Sequence, residues 1–163
     1  MPHRLCPKIP LPPYAFIPGK FPHPEKPGGH MFGEKKFHIE KLDPHHWQNN
    51  ETYLYALDLM NHQYFWEAHV WLEDLWNQVN RVGPMADFFK ALILICAAQI
   101  KFQLKQMDSG LGHLKRSQEL LESIQLVHKA HILLGLDLAF ILDSVKQAQR
   151  ELLPPQLILI PTT

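Results

Sequence analysis

The sequence predicts an all-α protein, an antiparallel bundle of about five helices behind an extended, proline-rich N-terminal arm. Apolar residues recur at helical spacing after residue 49, and ten of the 14 prolines lie before residue 47. No alternating apolar pattern is long enough to predict a sheet. The length of 163 residues suits a single core. We therefore divide the chain into an arm (1–48), a helical domain (49–153) and an apolar C-terminal tail (154–163).

Composition argues against several classes of function. The formal net charge is +0, from 16 basic and 16 acidic residues, so no overall field draws the protein to nucleic acid or to an anionic membrane. The longest apolar run, Ala91 to Ala98, is far shorter than the ~18 residues that indicate a membrane span. Cys6 and Cys96 match neither a disulfide framework nor a metal knuckle. These features predict a cytoplasmic protein with free thiols.

The arm is not expected to be helical, because each proline removes a backbone donor and restricts the residue before it. It nevertheless contains more apolar surface than a solvated linker, including Tyr14, Phe16, Ile17 and Phe21. Taking each large apolar side chain out of water contributes roughly 1.5–3 kcal/mol. We therefore expect the arm to pack on the helical domain.

The first three helices follow from cap residues and spacing. Asn50 is a suitable N-cap for helix one, and helix two is expected over about residues 64–79. Helix three begins near Pro84, continues to about Gln106, and should be the most buried because residues 88–96 are apolar almost all round. The predicted inward stripe of helix two has steps of four and three: Phe65, His69, Leu72, Trp76 and Val79.

The last two helices are separated by an ambiguous stretch at 126–136. Residues 108–110, Asp-Ser-Gly, supply turn and cap residues for helix four, which is expected to run through about Ile124. Helix five should begin near Asp137, bury Leu152 among its apolar residues, and end before a Pro-Pro pair. These elements complete the predicted bundle.

A resemblance to a known family lies in four segments of the chain. The longest is YLYALDLMNHQYFWEAHVWLEDLW, and the others are PPYAFIPGKFPHPEKPGGH, ADFFKALILICAAQIK and GLGHLKRSQELL. They resemble, in the same order, a bacterial and archaeal family described as domain of unknown function family 309, over most of residues 12–121. The resemblance implies an all-helical fold and no assigned activity. Where family members commonly read WEAHE and LIQ, this chain has Val70 and Leu94, so any polar site shared by the family is altered here.

His69 and Glu73 are the main candidates for a functional site. They lie four residues apart on helix two, so their side chains can touch. A histidine and a carboxylate at this spacing can bind a divalent metal, or act as a general base and its orienting group. The pair can equally be structural, with the carboxylate satisfying a histidine at the core edge. Glu67 is a further pocket candidate, although it lies on the opposite side of the helix from His69. There it would complement the helix dipole and could accept amide hydrogen bonds from the arm or from a loop.

Two arm histidines extend the metal hypothesis. His23 and His30 could join His69 and Glu73 in a set of three imidazoles and one carboxylate. Such a set suits zinc, iron or manganese by ligand type and does not choose among them. The alternative is that both are surface histidines of a turn-rich arm.

Three tryptophans lie close together on helix two. Trp66 and Trp76 are candidates for the wall of a ligand pocket, although aromatic residues so placed more often belong to the core. Trp71 lies about 160° from His69 around the helix and should face another element or a partner.

The preferred interpretation is a binding module for a small molecule or a protein, with a polar pocket around His69 and Glu73 that the arm encloses. One alternative is a metal-dependent hydrolase that uses these two residues and the arm histidines as ligands. Another is a purely structural partner protein. No phosphate loop, nucleophile elbow or dinucleotide fingerprint is present, so whether the protein is an enzyme stays open. The apolar tail should lie on its own domain or on a second copy in a homo-oligomer.

Overall fold

The computed structural model describes residues 1–34 and 40–163, and within them the chain is mostly helical. A 3₁₀ helix at Pro44–Asn49 precedes five α-helices. These are α1 (Glu51–Asn61), α2 (Phe65–Gln78), α3 (Pro84–Gln103), α4 (Met107–Val127) and α5 (Leu138–Glu151). Two short antiparallel strands, β1 (Ile132–Leu133) and β2 (Leu136–Asp137), join α4 to α5. The predicted helical bundle with an N-terminal arm is therefore confirmed.

Helix α3 is the centre of the bundle. It packs against both α2 and α4, while α1 packs on α2 and α5 packs on α4. Phe88, Phe89 and Leu92 of α3 are completely buried, in agreement with the prediction that this helix is the most buried. Of the helices that the structure describes, none is both long enough and apolar enough to cross a membrane.

Two predicted helix starts are confirmed by their cap hydrogen bonds. The side-chain oxygen of Asn50 accepts from the Tyr53 N–H at 2.8 Å, which begins α1. The Asp137 carboxylate accepts from the Ala139 N–H at 2.9 Å, which begins α5. In both cases the cap satisfies a backbone donor that the first helical turn leaves free. These starts are predictable because the whole interaction is local in sequence.

The boundary between α3 and α4 differs from the prediction. Helix α3 ends at Gln103 and α4 begins at Met107, so residues 108–110 lie inside the first turn of α4 rather than before it. Gly110 packs against the ring of Phe102, where an added Cβ would come within 3.2 Å of a ring carbon. Glycine fits this position because of a close helix approach and not because of a turn.

The ambiguous stretch forms a hairpin, and Leu152 is not buried. Leu134 and Gly135 connect the two strands with φ values of +47° and +78°, as a tight hairpin turn requires. Leu152 is 51% exposed and adopts a left-handed conformation at the end of α5. The prediction that it is buried is wrong, because this C-cap turns the residue away from the inward stripe of α5.

The buried face of α2 is rotated relative to the predicted stripe. Its apolar members are Phe65, Ala68, Leu72 and Leu75. His69, with a side chain 29% exposed, and Trp76, which is only partly buried, lie at its edge. Both stripes share Phe65 and Leu72, and both satisfy helical spacing. Because α2 packs against α1 and α3 together, its two neighbours decide which stripe is buried.

The start of the arm is anchored on a buried carboxylate of α1. Asp58 is completely buried and accepts from the Leu5 N–H at 2.7 Å, the Cys6 N–H at 2.8 Å and the Arg4 Nε–H at 2.9 Å. A buried carboxylate needs such donors, since an unpaired one is strongly destabilising. Cys6 and Cys96 are both free, as predicted, and both are buried, which raises the pKa of each thiol.

The proline-rich part of the arm is held through its carbonyl oxygens. Prolines have no N–H to donate, but their carbonyls still accept. The Tyr55 hydroxyl donates to the Pro10 carbonyl at 2.9 Å, and the Tyr64 hydroxyl donates to the Pro12 carbonyl at 3.0 Å. Phe16 is 7% exposed and belongs to the buried core. The arm therefore lies along α1 and α2.

The C-terminal tail lies on its own domain. The Asn61 amide pairs with the backbone of Leu159 in both directions, donating to its carbonyl at 2.9 Å and accepting from its N–H at 2.7 Å. Leu159 is 1% exposed, and Gln99 donates to the Pro155 carbonyl at 2.7 Å. Ile160 stays 66% exposed. Extended backbone is thus fixed to α1 and α3 by side-chain amides.

Candidate functional site

Glu67 is the buried acidic side chain of α2 and joins two parts of the arm. Its Oε1 accepts from the Phe16 N–H at 2.8 Å and from Nε2 of His30 at 3.0 Å. The side chains of Glu67 and His30 are only 2% and 5% exposed. Because a carboxylate oxygen only accepts, Nε2 of His30 bears a proton in this contact. The prediction that Glu67 accepts an amide hydrogen bond from the arm or from a loop is confirmed, and the donor belongs to the arm.

The second carboxylate oxygen of Glu67 has a different environment from the first. Oε2 is buried, and in the part of the chain that the structure describes it has no hydrogen-bond partner. Leaving a buried acceptor unsatisfied costs about 1–3 kcal/mol, and more for a charged group. Such an atom in a folded protein therefore needs an explanation in terms of a missing donor.

A cavity of about 560 Å³ lies beside Glu67, between the arm and α2. One wall is a single face of α2 formed by Glu67, Val70, Trp71 and Asp74, which are spaced at i, i+3, i+4 and i+7. The opposite wall belongs to the arm and is largely apolar, with Leu11, Pro12, Pro13 and Met31. A volume of this size is typical of small-molecule sites.

The cavity is acidic and partly aromatic. Its lining includes four carboxylic acids: Glu25, Glu34, Glu67 and Asp74. Among the described lining residues there is no lysine and no arginine. Tyr55 of α1 also lines the cavity, and its ring lies edge-on to Trp71 with centroids 4.7 Å apart. Burial raises the pKa of Tyr55 to about 12, so its hydroxyl stays protonated at neutral pH.

A compact turn in the arm positions His30. An added Cβ at Gly29 would overlap the carbonyl oxygens of His23 and Pro24, so only glycine fits there. The backbone N–H of His30 donates to the Tyr14 hydroxyl at 3.2 Å, and the two rings meet edge-on at 4.6 Å. The turn thus directs the imidazole of His30 toward α2.

His69 and Glu73 touch, as their spacing predicts. Nε2 of His69 lies 3.3 Å from Oε1 of Glu73, and Nδ1 lies 3.1 Å from the Trp66 carbonyl oxygen. Their side chains are 29% and 47% exposed. The cavity beside Glu67 is lined by neither of them. They lie on the other side of α2, as the two-residue offset between Glu67 and His69 requires.

The structure does not assemble the predicted metal set. His23 packs edge-on against Phe16 and Trp66, with ring centroids 5.2 Å and 5.3 Å away. His30 pairs with Glu67 rather than with the carboxylate of the predicted set. Within residues 1–34 and 40–163, no group of three or more His, Cys, Asp or Glu side chains is placed to hold a metal ion. The residues named for zinc, iron or manganese therefore do not fit a shared ion.

The tryptophans of α2 have three different environments. Trp66 contacts the arm, and Trp76 lies beneath two cations, with Arg81 at 4.5 Å and Lys90 at 4.7 Å from its ring centroid. Neither of these candidates lines the cavity. Trp71, which was expected to face another element or a partner, is the one that does.

Sequence reasoning did not find most of the cavity. The candidates did not include Val70, Asp74 and Tyr55. The sequence does contain a signal for the two α2 residues, because Val70 and Asp74 share a helical face with Glu67. Val70, one of the two departures from the family pattern expected from the sequence, makes its part of the wall apolar. Leu94, the other departure from the family pattern, is 8% exposed and packs in the core.

The comparison with known families gives one match. The model of the family described as Domain of unknown function (DUF309) matches residues 53–112, which span α1 from its first turn, all of α2 and α3, and the start of α4. No curated protein and no solved structure matches the chain. The matched segment contains the α2 wall of the cavity and Tyr55. The predicted resemblance to this family is thus confirmed over residues 53–112.

Proposed function

We propose that the protein is a binding module that accepts a small organic ligand in the cavity between the arm and α2. The observation that supports this most is Oε2 of Glu67, a buried carboxylate oxygen beside the cavity with no partner among the described residues. A ligand donor would supply the missing hydrogen bond. The volume of about 560 Å³ and the mixture of apolar walls with a few polar groups are those of small-molecule sites.

A binding role accounts for the cavity better than a structural role. A contact that only fixes the arm would be more stable without a buried unsatisfied oxygen, because that atom lowers the free energy of unfolding. A catalytic role has less support. The described lining contains no serine, threonine, cysteine or lysine, so a nucleophile would have to be one of its carboxylates. Nε2 of His30 is already bonded to Glu67.

The test is a fragment screen on the full chain, read by the indole and amide signals of isotope-labelled protein. We expect fragments that bind to shift the indole N–H signal of Trp71 and the amide signal of Val70. Replacing Val70 with Trp fills the cavity and should abolish the shift of the Trp71 indole signal. Glu73→Gln, on the other side of α2, is the matched control and should leave both shifts unchanged. Binding that survives Val70→Trp, or a screen without shifts at either signal, would show that the proposal is wrong.

A further inference from the structure

We infer that the group recognised in this cavity is an organic cation with N–H donors, a primary ammonium or an amidinium, on a small apolar body. The inference rests on the proposed function and specifies its ligand class. It follows from the charge of the lining, the hydrogen bonding of Glu67 and the character of the walls.

The acidic and basic side chains in the described part of the lining differ in number, and the acidic ones dominate. Four carboxylic acids line the cavity, and the described lining residues include no lysine or arginine. A cleft lined by one sign of charge, with apolar walls around it, concentrates the field and favours a ligand of the opposite charge. An anionic ligand would be repelled by the same groups.

Glu67 specifies an N–H donor within that charge class. Its Oε1 already accepts from Phe16 and His30, whereas Oε2 is buried without a partner in the described residues. An ammonium or amidinium N–H would form a charge-assisted hydrogen bond with Oε2, which is about twice as strong as a neutral one. A quaternary ammonium ion has the charge and cannot form this bond.

The walls suit the rest of such a ligand. Tyr55 and Trp71 place an edge-to-face aromatic pair at the cavity, and aromatic rings attract cations through their faces. Leu11, Met31 and Val70 provide apolar surface for the body of the ligand. The cavity thus combines a buried acceptor with aromatic and aliphatic contacts.

The test compares four probes of similar size on the full-length protein by calorimetric or NMR titration. They are benzylamine, benzyl alcohol, benzoate and benzyltrimethylammonium. We expect benzylamine to bind roughly tenfold or more tightly than benzyl alcohol, the difference between a charge-assisted and a neutral hydrogen bond. Benzyltrimethylammonium should be weaker than benzylamine because it has no N–H, and benzoate should bind least.

A variant of Glu67 tests the acceptor directly. Glu67→Gln keeps one oxygen for Phe16 and His30 and places an amide nitrogen where Oε2 lay, so the preference for benzylamine over benzyl alcohol should disappear. Glu73→Gln removes one charge from the same helix outside the cavity and should retain the preference. The Phe16 amide signal and the thermal midpoint report whether the arm stays docked. The probe series on the unmodified protein decides the inference even if the Glu67 variant loses the arm.

The outcomes separate this inference from the proposed function. Benzyl alcohol or benzoate binding as tightly as benzylamine, with shifts at Trp71, would overturn the cationic class and leave a ligand cavity. Equal binding of benzyltrimethylammonium and benzylamine would overturn the N–H donor. If none of the four binds, the inference is wrong, whereas the proposed function is decided by the fragment screen.

Discussion

Two histidine–glutamate pairs lie on opposite sides of α2, and they differ in sequence separation and in burial. His30 and Glu67 are 37 residues apart in sequence, 3.0 Å apart in space, and 5% and 2% exposed. His69 and Glu73 are one helical turn apart, 3.3 Å apart, and 29% and 47% exposed. Helical spacing therefore predicts that two side chains touch. It does not predict whether the pair is buried, because burial depends on what packs over it.

The two pairs should also differ in energy. An exposed ion pair contributes about 0–1 kcal/mol, because solvent screens it and both side chains lose freedom. A buried pair is different, since removing one member leaves the other without its partner in a place that water does not reach. The following predictions are ordered by the size of the expected effect.

The largest effect should come from truncating the two glutamates. Glu67→Ala removes the acceptor of the Phe16 N–H and of His30, and we expect it to lower the free energy of unfolding by about 2–4 kcal/mol. Glu73→Ala, the matched control, should cost less than about 1 kcal/mol. Urea unfolding at neutral pH measures both. If both variants lost the same free energy of unfolding, the buried and the exposed pair would not differ in their contribution to stability, and the prediction would be wrong.

A second prediction concerns the turn that positions His30. Gly29→Ala introduces a methyl group that overlaps the carbonyl oxygens of His23 and Pro24. We expect the turn to open, with a loss of about 1–3 kcal/mol and faster proteolysis of the arm. Gly112→Ala in α4 is the control, because the added carbon would meet no described atom within 4 Å apart from its chain neighbours and its own helix backbone. Alanine also favours a helix by about 0.5–1 kcal/mol. An arm that stays equally resistant in Gly29→Ala would contradict the role given to this turn.

The cavity also predicts a dependence on alkaline pH, through Tyr55 of α1. Burial raises the pKa of Tyr55 from its ordinary value of 10.0 to about 12 in the folded protein. The fold therefore favours the neutral phenol, and the resulting stability is complete below pH 10 and is lost as the pH rises through 12.

The check is a pair of unfolding series between pH 8 and 12. Tyr55→Phe should cost about 1 kcal/mol at neutral pH through the lost hydrogen bond to Pro10. It should also show a shallower decline above pH 10 than the unmodified protein. Parallel declines would mean that Tyr55 is not protected from ionisation by the fold.

The smallest effect is expected on the His69 side. His69→Phe exchanges one flat ring for another at a partly exposed position, and its partner Glu73 can turn to solvent. We expect the free energy of unfolding to change by no more than about 0.5 kcal/mol, as measured by thermal and urea unfolding. A loss several times larger would show that the exposed pair stabilises the fold as the buried pair does.

The sequence predicted the features of this protein that depend on neighbouring residues. Asn50 and Asp137 begin their helices through bonds to residues two or three positions ahead, and the four-residue spacing of His69 and Glu73 produces their contact. The packing of the arm was also predicted, from the apolar residues it contains. In each case the deciding atoms lie within one or two turns, or the cost of leaving an apolar side chain in water is decisive.

Only the tertiary structure decided where the candidate site lies. Two stripes of α2 satisfy helical spacing equally well, and packing against α1 and α3 selected the one that leaves His69 at the edge. The pairing of His30 with Glu67 requires the turn at Gly29 and the arm anchored at Asp58. Contacts between residues so far apart in sequence depend on how whole helices and the arm are placed relative to one another. That placement results from the summed burial of many side chains. Helix spacing and capping, in contrast, are properties of a few adjacent residues.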